Sequence, residues 1–340
     1  FKTKSDTDVI VHAYEEWGDR CVERFNGQWA FAIWDTKKET LFCSRDRLGV
    51  RPFFYAHTPE LFAFGSEIKS IFVDPRVARR LDIRGVDQVL TYWCTLAPRT
   101  VFEGIKELPP GCSLHLSKSG EAKIAPYFKL SYEIDHSKTE SQWAEELRAL
   151  LVEASRLRLL RADVPVGAYL SGGIDSTTIT AIVHKMTEQP LKTFSVTFDR
   201  TEFDESNFQE EAVKFLGVRD HPAVLCKDDD IGREFPKVVW HAETPMIRTA
   251  PAPLFVLARL VREQGYKVVL TGEGSDELLG GYDIYKEAKV RRFWAKYPES
   301  KARPALLEKL YPYMTNLRSQ SVEYKKAFFH VNPEVVGSPF

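Results

Sequence analysis

The segment SGGIDS, residues 171–176, places small, hydroxyl and acidic side chains together in one loop. Gly172 and Gly173 would let the backbone approach an anion closely, and the hydroxyls of Ser171 and Ser176 can donate hydrogen bonds to it. The carboxylate of Asp175 can hold a magnesium ion that bridges phosphate oxygens. Because a strand-like run precedes the loop and a helical pattern comes after it, free backbone N–H groups and the positive end of a helix would meet there, which predicts phosphate binding.

This loop lacks the lysine of the Walker pattern GxxxxGK[ST], which serves the β- and γ-phosphates. The shorter loop resembles the pyrophosphate loop of enzymes that split ATP between its α- and β-phosphates. The alternative is a glycine-rich turn from strand to helix that is capped by an aspartate and binds nothing.

A second loop, GEGSDE at residues 272–277, also comes after a strand-like run and concentrates three acidic residues. Beside the first loop, Asp276 becomes a second magnesium ligand with Asp175, and Glu273 a carboxylate placed to act as a general base or to orient the reacting centre. The alternative is a solvated start of a helix, where acidic residues are favoured for electrostatic reasons alone.

The elements around these loops alternate between strand and helix. Short β-branched or aromatic runs occupy residues 166–170, 192–198 and 267–271, and helical patterns occupy residues 176–186, 208–216 and 253–264. Such alternation predicts a doubly wound α/β domain with a parallel sheet. Since ligands of these sheets collect at the carboxyl ends of the strands, the loops after Leu170, Phe198 and Leu270 are the expected site.

The first third of the chain has a different pattern. Helical spacing over residues 8–17 predicts a helix that stops at Gly18. Aromatic-rich runs separated by turns then predict successive antiparallel strands at residues 29–35, 40–44, 53–57 and 61–65. Strand-like pieces continue over residues 100–116, so the N-terminal part is predicted to be an α+β domain built on antiparallel sheets.

Length and patterning divide the 340 residues into two domains. We predict a first domain at residues 1–130, a polar linker at 131–141 and a second domain at 142–340, which opens with a long helix that has one apolar face. Lys plus Arg (47) nearly balance Asp plus Glu (48), so no strong field favours nucleic acid or an anionic membrane. The apolar runs are also shorter than the roughly 20 residues that cross a bilayer.

The five cysteines are odd in number, widely spaced and without a CxxC pair. Reduced thiols in a cytoplasmic protein are therefore expected. Cys21 and Cys43 lie in or beside apolar elements and are predicted to be buried structural thiols. Because the chain opens on Phe1 without a Met or a signal peptide and ends in a tail that contains Pro and Gly, we expect a fragment that is truncated at its C-terminus.

Three motifs in order resemble the synthetase domain of glutamine-hydrolysing asparagine synthetases. They are YLSGGIDS at 169–176, FSVTF and FDES within 194–206, and TGEGSDELLGGY at 271–282. The first part independently resembles the later half of the N-terminal-nucleophile glutaminase of that family, a class II glutamine amidotransferase domain, on SDTDVI, FNGQWAFAIWD, RDRLGVRPFFY and GSEIKS. The resemblance covers nearly the whole chain, and it implies an adenine nucleotide α-hydrolase-like fold for the second domain.

The resemblance also implies roles for single residues. The adenine and ribose would be lined by Leu170, Val196, Thr271 and Gly272, and the pyrophosphate would be held by Ser171, Gly172, Gly173, Asp175 and Ser176. Glu273 matches the carboxylate that the family requires for the β-aspartyl-adenylate step, and Asp276 completes the Mg²⁺ site with Asp175. Arg248 with Thr249 would face the substrate, or Glu243 and Arg248 would form a surface ion pair.

In the glutaminase part, the resemblance puts the nucleophile on a cysteine at the mature N-terminus, in a segment that this chain lacks. The family's glutamine-contacting aspartate corresponds to Asp6. The alternative is that Ser5 or Asp6 caps the helix that starts there. Arg45, Asp46 and Arg51 are expected to form a structural ion-pair network around their turn.

The implied activity is ATP-dependent amidation of L-aspartate to L-asparagine through a β-aspartyl-AMP intermediate. Glutamine would supply the ammonia, and AMP and pyrophosphate would be released. The alternatives are a related adenylating enzyme, such as a β-lactam synthetase or a peptide cyclase, and a non-catalytic nucleotide-binding homologue. The expected partners are the small molecules aspartate, glutamine and ATP, without nucleic acid or membrane, and a homodimer is kept as a hypothesis.

Overall fold

The computed structural model describes residues 2–3, 5–187, 190–200 and 204–330. Its strands are β1 (Ala30–Asp35), β2 (Thr40–Arg45), β3 (Phe54–Thr58), β4 (Leu61–Gly65), β5 (Ile105–Glu107), β6 (Cys112–Leu116), β7 (Ala122–Pro126), β8 (Val166–Tyr169), β9 (Thr193–Phe198), β10 (Ala223–Cys226) and β11 (Val268–Leu270). Its α-helices are α1 (Asp6–Trp17), α2 (Ile68–Ile71), α3 (Ile83–Tyr92), α4 (Glu140–Leu160), α5 (Ile174–Met186), α6 (Ser206–Leu216), α7 (Asp228–Ala242), α8 (Pro251–Glu263), α9 (Ser275–Leu279), α10 (Asp283–Ala295), α11 (Thr315–Arg318) and α12 (Val322–Phe328). Two 3₁₀ helices span Gly18–Arg24 and Arg303–Lys309.

The chain packs as two units that do not follow the sequence order. One unit comprises Phe1–Glu146 and Leu225–Arg259, and the other comprises Leu147–Val224 and Leu260–Phe340. Helix α7 and the first part of α8 therefore belong with the N-terminal part of the chain.

The first unit is built on two antiparallel sheets, with strand orders β1-β2-β6-β7 and β4-β3-β5. Side chains of both sheets meet in one buried cluster, to which β2 contributes Cys43, β3 contributes Tyr55 and β6 contributes Leu114. Successive side chains of a strand point to opposite faces of its sheet, so every second residue of these strands lies on the face of this shared core.

Helix α1 begins and ends where local chemistry favours it. The hydroxyl of Ser5 accepts a hydrogen bond from the backbone N–H of Thr7 at 3.2 Å, and Gly18 closes the helix with a positive φ of 58°. The next element, the first 3₁₀ helix, carries Cys21 into a second cluster with Trp29 and Phe42.

The second unit contains the parallel sheet, in the order β10-β9-β8-β11. The chain runs from β8 outward through β9 to β10 and then returns to the other side of β8 as β11. The strand order thus reverses between β8 and β11, which makes this position the topological switch point of the sheet. A buried cluster of Ala168, Val183 and Leu191 joins the sheet to α5.

The predicted fold class is confirmed: antiparallel sheets occupy the N-terminal part, and a parallel sheet with intervening helices comes after them. Helix α4 covers the predicted long helix, but its apolar face stays largely open, since Leu150 is 61% exposed and the buried residue of α4 is Ser155. Among the described residues, no helix has both the length and the apolar content that a bilayer crossing requires.

Candidate functional site

The two chemistry-bearing loops leave neighbouring parallel strands. Strands β8 and β11 pair with Ala168 opposite Leu270, so the loops after both strands start at the same sheet edge. A β carbon added to Gly272 would lie 2.7 Å from the backbone nitrogen of Ser176 and 2.8 Å from the β carbon of Asp175. Only glycine fits at this distance, so the second loop packs directly on the first turn of α5.

The first loop holds its shape through its own serines. The hydroxyls of Ser171 and Ser176 lie 2.9 Å apart and share a hydrogen bond, and the Ser176 hydroxyl also donates to the carbonyl of Gly173 at 3.2 Å. The backbone N–H of Ser171 donates to the same Ser176 oxygen at 3.2 Å. Gly173 is the N-cap of α5 and provides no side chain to cap it, so the N–H groups of the first turn are left to an external acceptor.

Gly172 brings the same loop against helix α6. It adopts a φ of +84°, and a β carbon there would lie 2.7 Å from the backbone carbonyl carbon of Phe208 and 2.8 Å from the backbone nitrogen of Gln209. Positive φ and the lack of space together require glycine. The loop is therefore held between α6 on one side and Gly272 on the other.

Two polar residues that the sequence did not single out fix the strand ends beside the loop. The buried Ser195 hydroxyl donates to the carbonyl of Leu170, and the buried Gln209 side chain donates to the carbonyl of Val196 at 3.0 Å. Leu170, itself buried, also donates its N–H to the carbonyl of Phe194 at 3.0 Å. Gln209 lies with Ala212 on the buried face of α6. A polar residue on the buried face of a helix is the sequence signal that could have identified Gln209.

The second loop, from Thr271 to helix α9, turns tightly and exposes its acids. The N–H of Glu273 donates to the Thr271 hydroxyl at 3.2 Å, and the Ser275 hydroxyl donates to the carbonyl of Gly272 at 2.7 Å. The side chain of Glu273 is exposed, whereas that of Asp276 is partly buried against Gly281, where an added β carbon would meet its Oδ1. Glu273 is thus oriented by its backbone and remains accessible.

Tyr282 closes the acidic loop from its C-terminal side. Its hydroxyl donates to the Glu277 carboxylate at 2.9 Å. This bond, together with partial desolvation and the nearby charges of Glu277, Asp276 and Glu273, raises the pKa of Tyr282 to about 12. Tyr282 therefore stays protonated and donates its hydrogen bond at every physiological pH.

The predicted metal ligands Asp175 and Asp276 come from the two loops that meet at Gly272. Within the described part of the chain, no group of three or more His, Cys, Asp or Glu side chains is arranged to hold a metal ion. Two carboxylates alone fit the way Mg²⁺ is usually bound with nucleotides, since it takes one or two protein carboxylates and completes its shell with phosphate oxygens and water.

The motif FDES is described except for its first residue, since Phe203 lies outside the described residues. Asp204 accepts hydrogen bonds from the N–H of Phe198 at 3.3 Å and from the Ser206 hydroxyl at 2.5 Å, so it ties the end of β9 to the start of α6.

In the first unit, the helix cap and the aspartate predicted to contact glutamine are different residues. Ser5 caps α1, and Asp6 is the first residue of that helix. The Asp6 carboxylate is exposed and accepts a hydrogen bond from Ser5 at 3.4 Å. Cys21 and Cys43 are not candidates for a nucleophile: both are fully buried, as predicted, and burial raises the pKa of Cys21 to about 11 and that of Cys43 to about 12.

The turn at Arg45 and Asp46 is structural. The buried Arg45 guanidinium pairs with Glu107 at 2.6 Å and donates to the carbonyls of Gly49, Arg51 and Leu108. The Asp46 carboxylate accepts instead from backbone N–H groups, including that of Arg51 at 2.9 Å. The turn is structural, as expected, but among the described residues the predicted ion pairs of Arg45, Asp46 and Arg51 with one another do not form, and Arg45 pairs with Glu107 instead.

Glu243 and Arg248 do not form a surface pair with each other. The Glu243 carboxylate accepts hydrogen bonds from the backbone N–H groups of Ile68 at 2.5 Å and Lys69 at 2.6 Å. The Arg248 guanidinium stacks on the Trp93 ring, 3.6 Å from its centroid. Both contacts lie within the first unit.

Two glycine-containing loops that meet at the switch point of a parallel sheet are an arrangement with which many α/β proteins bind nucleotides. Residues 146–335 match the family model described as asparagine synthase, and residues 1–128 match the one described as glutamine amidotransferase domain. The chain belongs to the asparagine synthase family.

Curated relatives extend the comparison. The chain is 33% identical to asparagine synthetase [glutamine-hydrolyzing] 3 of Bacillus subtilis over 94% of this chain and 53% of the relative. It is 32% identical to putative asparagine synthetase [glutamine-hydrolyzing] 2 of Methanocaldococcus jannaschii, over 88% of this chain and 58% of the relative. It is also 30% identical to amidase chry2 of Gibberella zeae, over 84% and 44% of the two chains. The chain thus spans about half the length of the curated relatives it matches.

Among solved structures, a glutamine-dependent NAD+ synthetase from Acinetobacter baumannii in complex with ADP overlaps 98% of this chain and 83% of its own. The TM-score is 0.32 and the sequence identity is 14%, and an overlap this loose defines no shared fold.

Proposed function

We propose that the protein is a glutamine-dependent asparagine synthetase that activates aspartate with ATP. The observation that carries this proposal is the contact of Gly272 with Asp175 and Ser176, because it brings a phosphate-type loop and an acidic loop together at one sheet edge. The family match supports the use of ATP and of glutamine as ammonia donor.

In this proposal the nucleotide lies across the two loops. Leu170, Val196, Thr271 and Gly272 line the adenine and ribose, and the N–H groups at the start of α5 face the pyrophosphate together with the loop from Ser171 to Ser176. Asp175 and Asp276 would hold Mg²⁺, which when bound neutralises charge that builds on the leaving pyrophosphate. Those N–H groups stabilise the transition state more than the ground state, since charge grows on the leaving group.

The chemistry then has two steps. A β-carboxylate oxygen of aspartate forms a bond to the α-phosphorus of ATP while the bond from that phosphorus to the bridging oxygen breaks, which gives β-aspartyl-AMP and pyrophosphate. Ammonia attacks the acyl carbon, AMP leaves with its oxygen, and a proton is lost to give asparagine. Glu273, exposed beside the loop, is positioned to orient the carboxylate or to take up this proton.

In the first unit, Asp6 is proposed to contact the ammonium group of glutamine, since Ser5 caps the helix and leaves the Asp6 carboxylate exposed. We also propose that the full-length protein works in the cytoplasm as a homodimer.

The proposal is tested by the products that the full-length protein makes from ATP. Aspartate should stimulate release of AMP and pyrophosphate, and addition of glutamine should yield asparagine and glutamate. ADP and inorganic phosphate as products would contradict the assignment of the Ser171 loop, and no aspartate-stimulated turnover would contradict the function.

One observation favours testing other acids as well. Relatives named amidase, chry2 at 30% identity and chyE of Penicillium rubens at 32%, match over 84% of the chain, so this degree of similarity extends to proteins with other names. Pyrophosphate release with another carboxylic acid and not with aspartate would assign the chain to such an adenylating relative.

A further inference from the structure

The motif GSEIKS, residues 65–70, has a role in the structure that the proposed reaction does not use. Helix α2 starts within it, and the N–H groups of Ile68 and Lys69 at that start point to the carboxylate of Glu243, 175 and 174 residues away in sequence. The Lys69 ammonium approaches the same carboxylate at 3.4 Å. Glu243 thus receives three donors from one short segment.

The burial and the backbone conformation of Glu243 both fix its carboxylate in this position. Its side chain is 8% exposed, and a carboxylate buried to that degree is stable only with its hydrogen bonds satisfied. Its backbone adopts a positive φ of 56° as the C-cap of α7, a conformation that non-glycine residues adopt at a cost. Trp240, one turn earlier in α7, lies under the Lys69 ammonium at 5.7 Å.

A second contact fastens the same segment a few residues later. Arg248 stacks on Trp93, which is the C-cap of α3 and also has a positive φ, of 67°. The segment 240–248 is therefore attached at two points to residues that match the amidotransferase model, although it lies within the synthase match.

Helix α8 connects the attached segment to the proposed synthesis site along the chain. It starts at Pro251, and its Arg259 pairs at 2.8 Å with the buried Glu234 of α7, so the two helices are tied together. After α8 the chain forms β11 and then the acidic loop with Glu273. The chain thus leads from α7 through α8 and β11 to the loop of the proposed synthesis site.

We propose that Glu243 is a positioning residue whose clasp on Ile68 and Lys69 couples glutamine hydrolysis to amide synthesis. Without the clasp, each half-reaction keeps its own site, but the two lose their coordination and ammonia escapes before it reaches the acyl intermediate. This inference rests on the proposed function, since it needs both half-reactions.

The test measures glutamate formed per asparagine formed by the full-length protein. Glu243→Ala should raise this ratio by about fivefold or more, as a typical coupling free energy predicts. Glutamine hydrolysis alone and synthesis from free ammonia should both remain near wild type. Glu243→Gln should raise the ratio less, because its single amide oxygen still accepts from one of the two N–H groups, which in Glu243 bond to different oxygens. The matched control is Glu67→Gln, which removes a carboxylate that also pairs with Lys69, at 3.0 Å, but is 51% exposed.

Hydrogen exchange at the amides of residues 68 and 69 separates the possible failures. It should accelerate in Glu243→Ala and not in Glu67→Gln, whether or not asparagine is the product. The coupling role is overturned if Glu243→Ala accelerates hydrogen exchange but leaves the ratio of glutamate to asparagine unchanged. It is also overturned if Glu67→Gln raises this ratio equally, or if Glu243→Ala slows both half-reactions in parallel at a constant ratio. If Glu243→Ala does not fold, Glu243→Gln decides by the same criteria. Absence of any aspartate-dependent turnover in the wild type contradicts the proposed function instead.

Discussion

Gly272 lies so close to Asp175 that a β carbon on the glycine would come within 2.8 Å of the β carbon of the aspartate. Gly272 lies in the loop after strand β11. Asp175 lies in the first turn of helix α5, which comes after the neighbouring strand β8. The two loops are thus one packed surface, and the distance between them is set by the absence of a side chain.

Gly272→Ala should therefore separate the loops and weaken ATP binding. The contacted atoms belong to the backbone and to Cβ, so they cannot rotate away as the end of a flexible side chain would. We expect the affinity for ATP, measured by calorimetry, to fall about tenfold or more, as a loss of roughly 1.4 kcal/mol implies.

The matched control for this substitution is Gly232→Ala. Gly232 lies inside α7, and an added β carbon there meets no atom within 4 Å. Alanine should raise the free energy of unfolding by up to about 1 kcal/mol through its helix propensity and leave ATP affinity unchanged. Equal ATP affinity in wild type and Gly272→Ala would contradict the shared surface.

Glu273→Gln separates nucleotide binding from catalysis. The Glu273 side chain is exposed, so its charge should matter little to folding, with a change within about 0.5 kcal/mol. As the carboxylate of the reacting centre, its loss should lower aspartate-dependent pyrophosphate release by about 100-fold or more, with ATP affinity near wild type.

Glu277→Gln removes the same charge four residues later and serves as the comparison. Its amide oxygen can still accept the hydrogen bond of Tyr282, so a much smaller effect is expected. If both variants lose activity equally, the acidic loop acts through its total charge and Glu273 has no special role.

Much of this site could be predicted from the sequence because its signals are local. Glycine, serine and acid after a β-branched run mark a loop at a strand end, and alternation with helices implies that such ends meet at one edge. Glu243 carries no such signal, since its donors at Ile68 and Lys69 are remote in sequence. Only the folded chain brings them together.

Two elements lack a sequence signal for physical reasons. Helix α7 contains Gly232 and Pro236, four residues apart, which are typical of a loop. It forms nevertheless, with three acids in its first turn and the Asp230 carboxylate accepting from the N–H of Lys227 at 3.0 Å. Strand β10 lies at the sheet edge, and all four of its residues are apolar although Ala223 and Leu225 are exposed, so the alternation of buried and exposed positions does not show in its sequence.

Two fully buried threonines in the second unit should respond oppositely to valine. The Thr180 hydroxyl has no hydrogen-bond partner among the described residues, whereas the Thr193 hydroxyl lies 2.7 Å from His221 Nδ1. Thr180→Val replaces an unsatisfied polar group with a methyl of the same shape and should raise the free energy of unfolding by about 1 kcal/mol. Thr193→Val should lower it by about 1 kcal/mol or more.

Urea denaturation of both valine variants measures these differences. If Thr180→Val lowers the free energy of unfolding, the Thr180 hydroxyl of the wild type bonds to an internal water. An equal loss in Thr180→Val and Thr193→Val would show that the two threonine hydroxyls are equally satisfied.

Acid should destabilise the protein partly through Glu234. A hydrogen bond from Lys237, and to a lesser degree one from Arg259, lowers the pKa of Glu234 from 4.5 to about 2. Because the folded pKa lies below the unfolded one, the stabilisation is fully present above pH 4.5 and is lost as the pH falls through about 2. Glu234→Gln should therefore flatten the dependence of the free energy of unfolding on pH across this window.

Asp74→Asn is the informative comparison, since the pKa of Asp74 is also lowered to about 2, mainly by a side-chain hydrogen bond to Arg76. That pair is only two residues apart and its arginine is exposed, so the contact is screened and can persist in the unfolded chain, which cancels much of its effect on folding. Glu234 joins two helices, and its bridge to Arg259 is lost in the unfolded state. Chemical denaturation between about pH 6 and about pH 2.5 should show a larger change of slope for Glu234→Gln than for Asp74→Asn, and equal changes would show that the bridge to Arg259 does not hold α7 to α8.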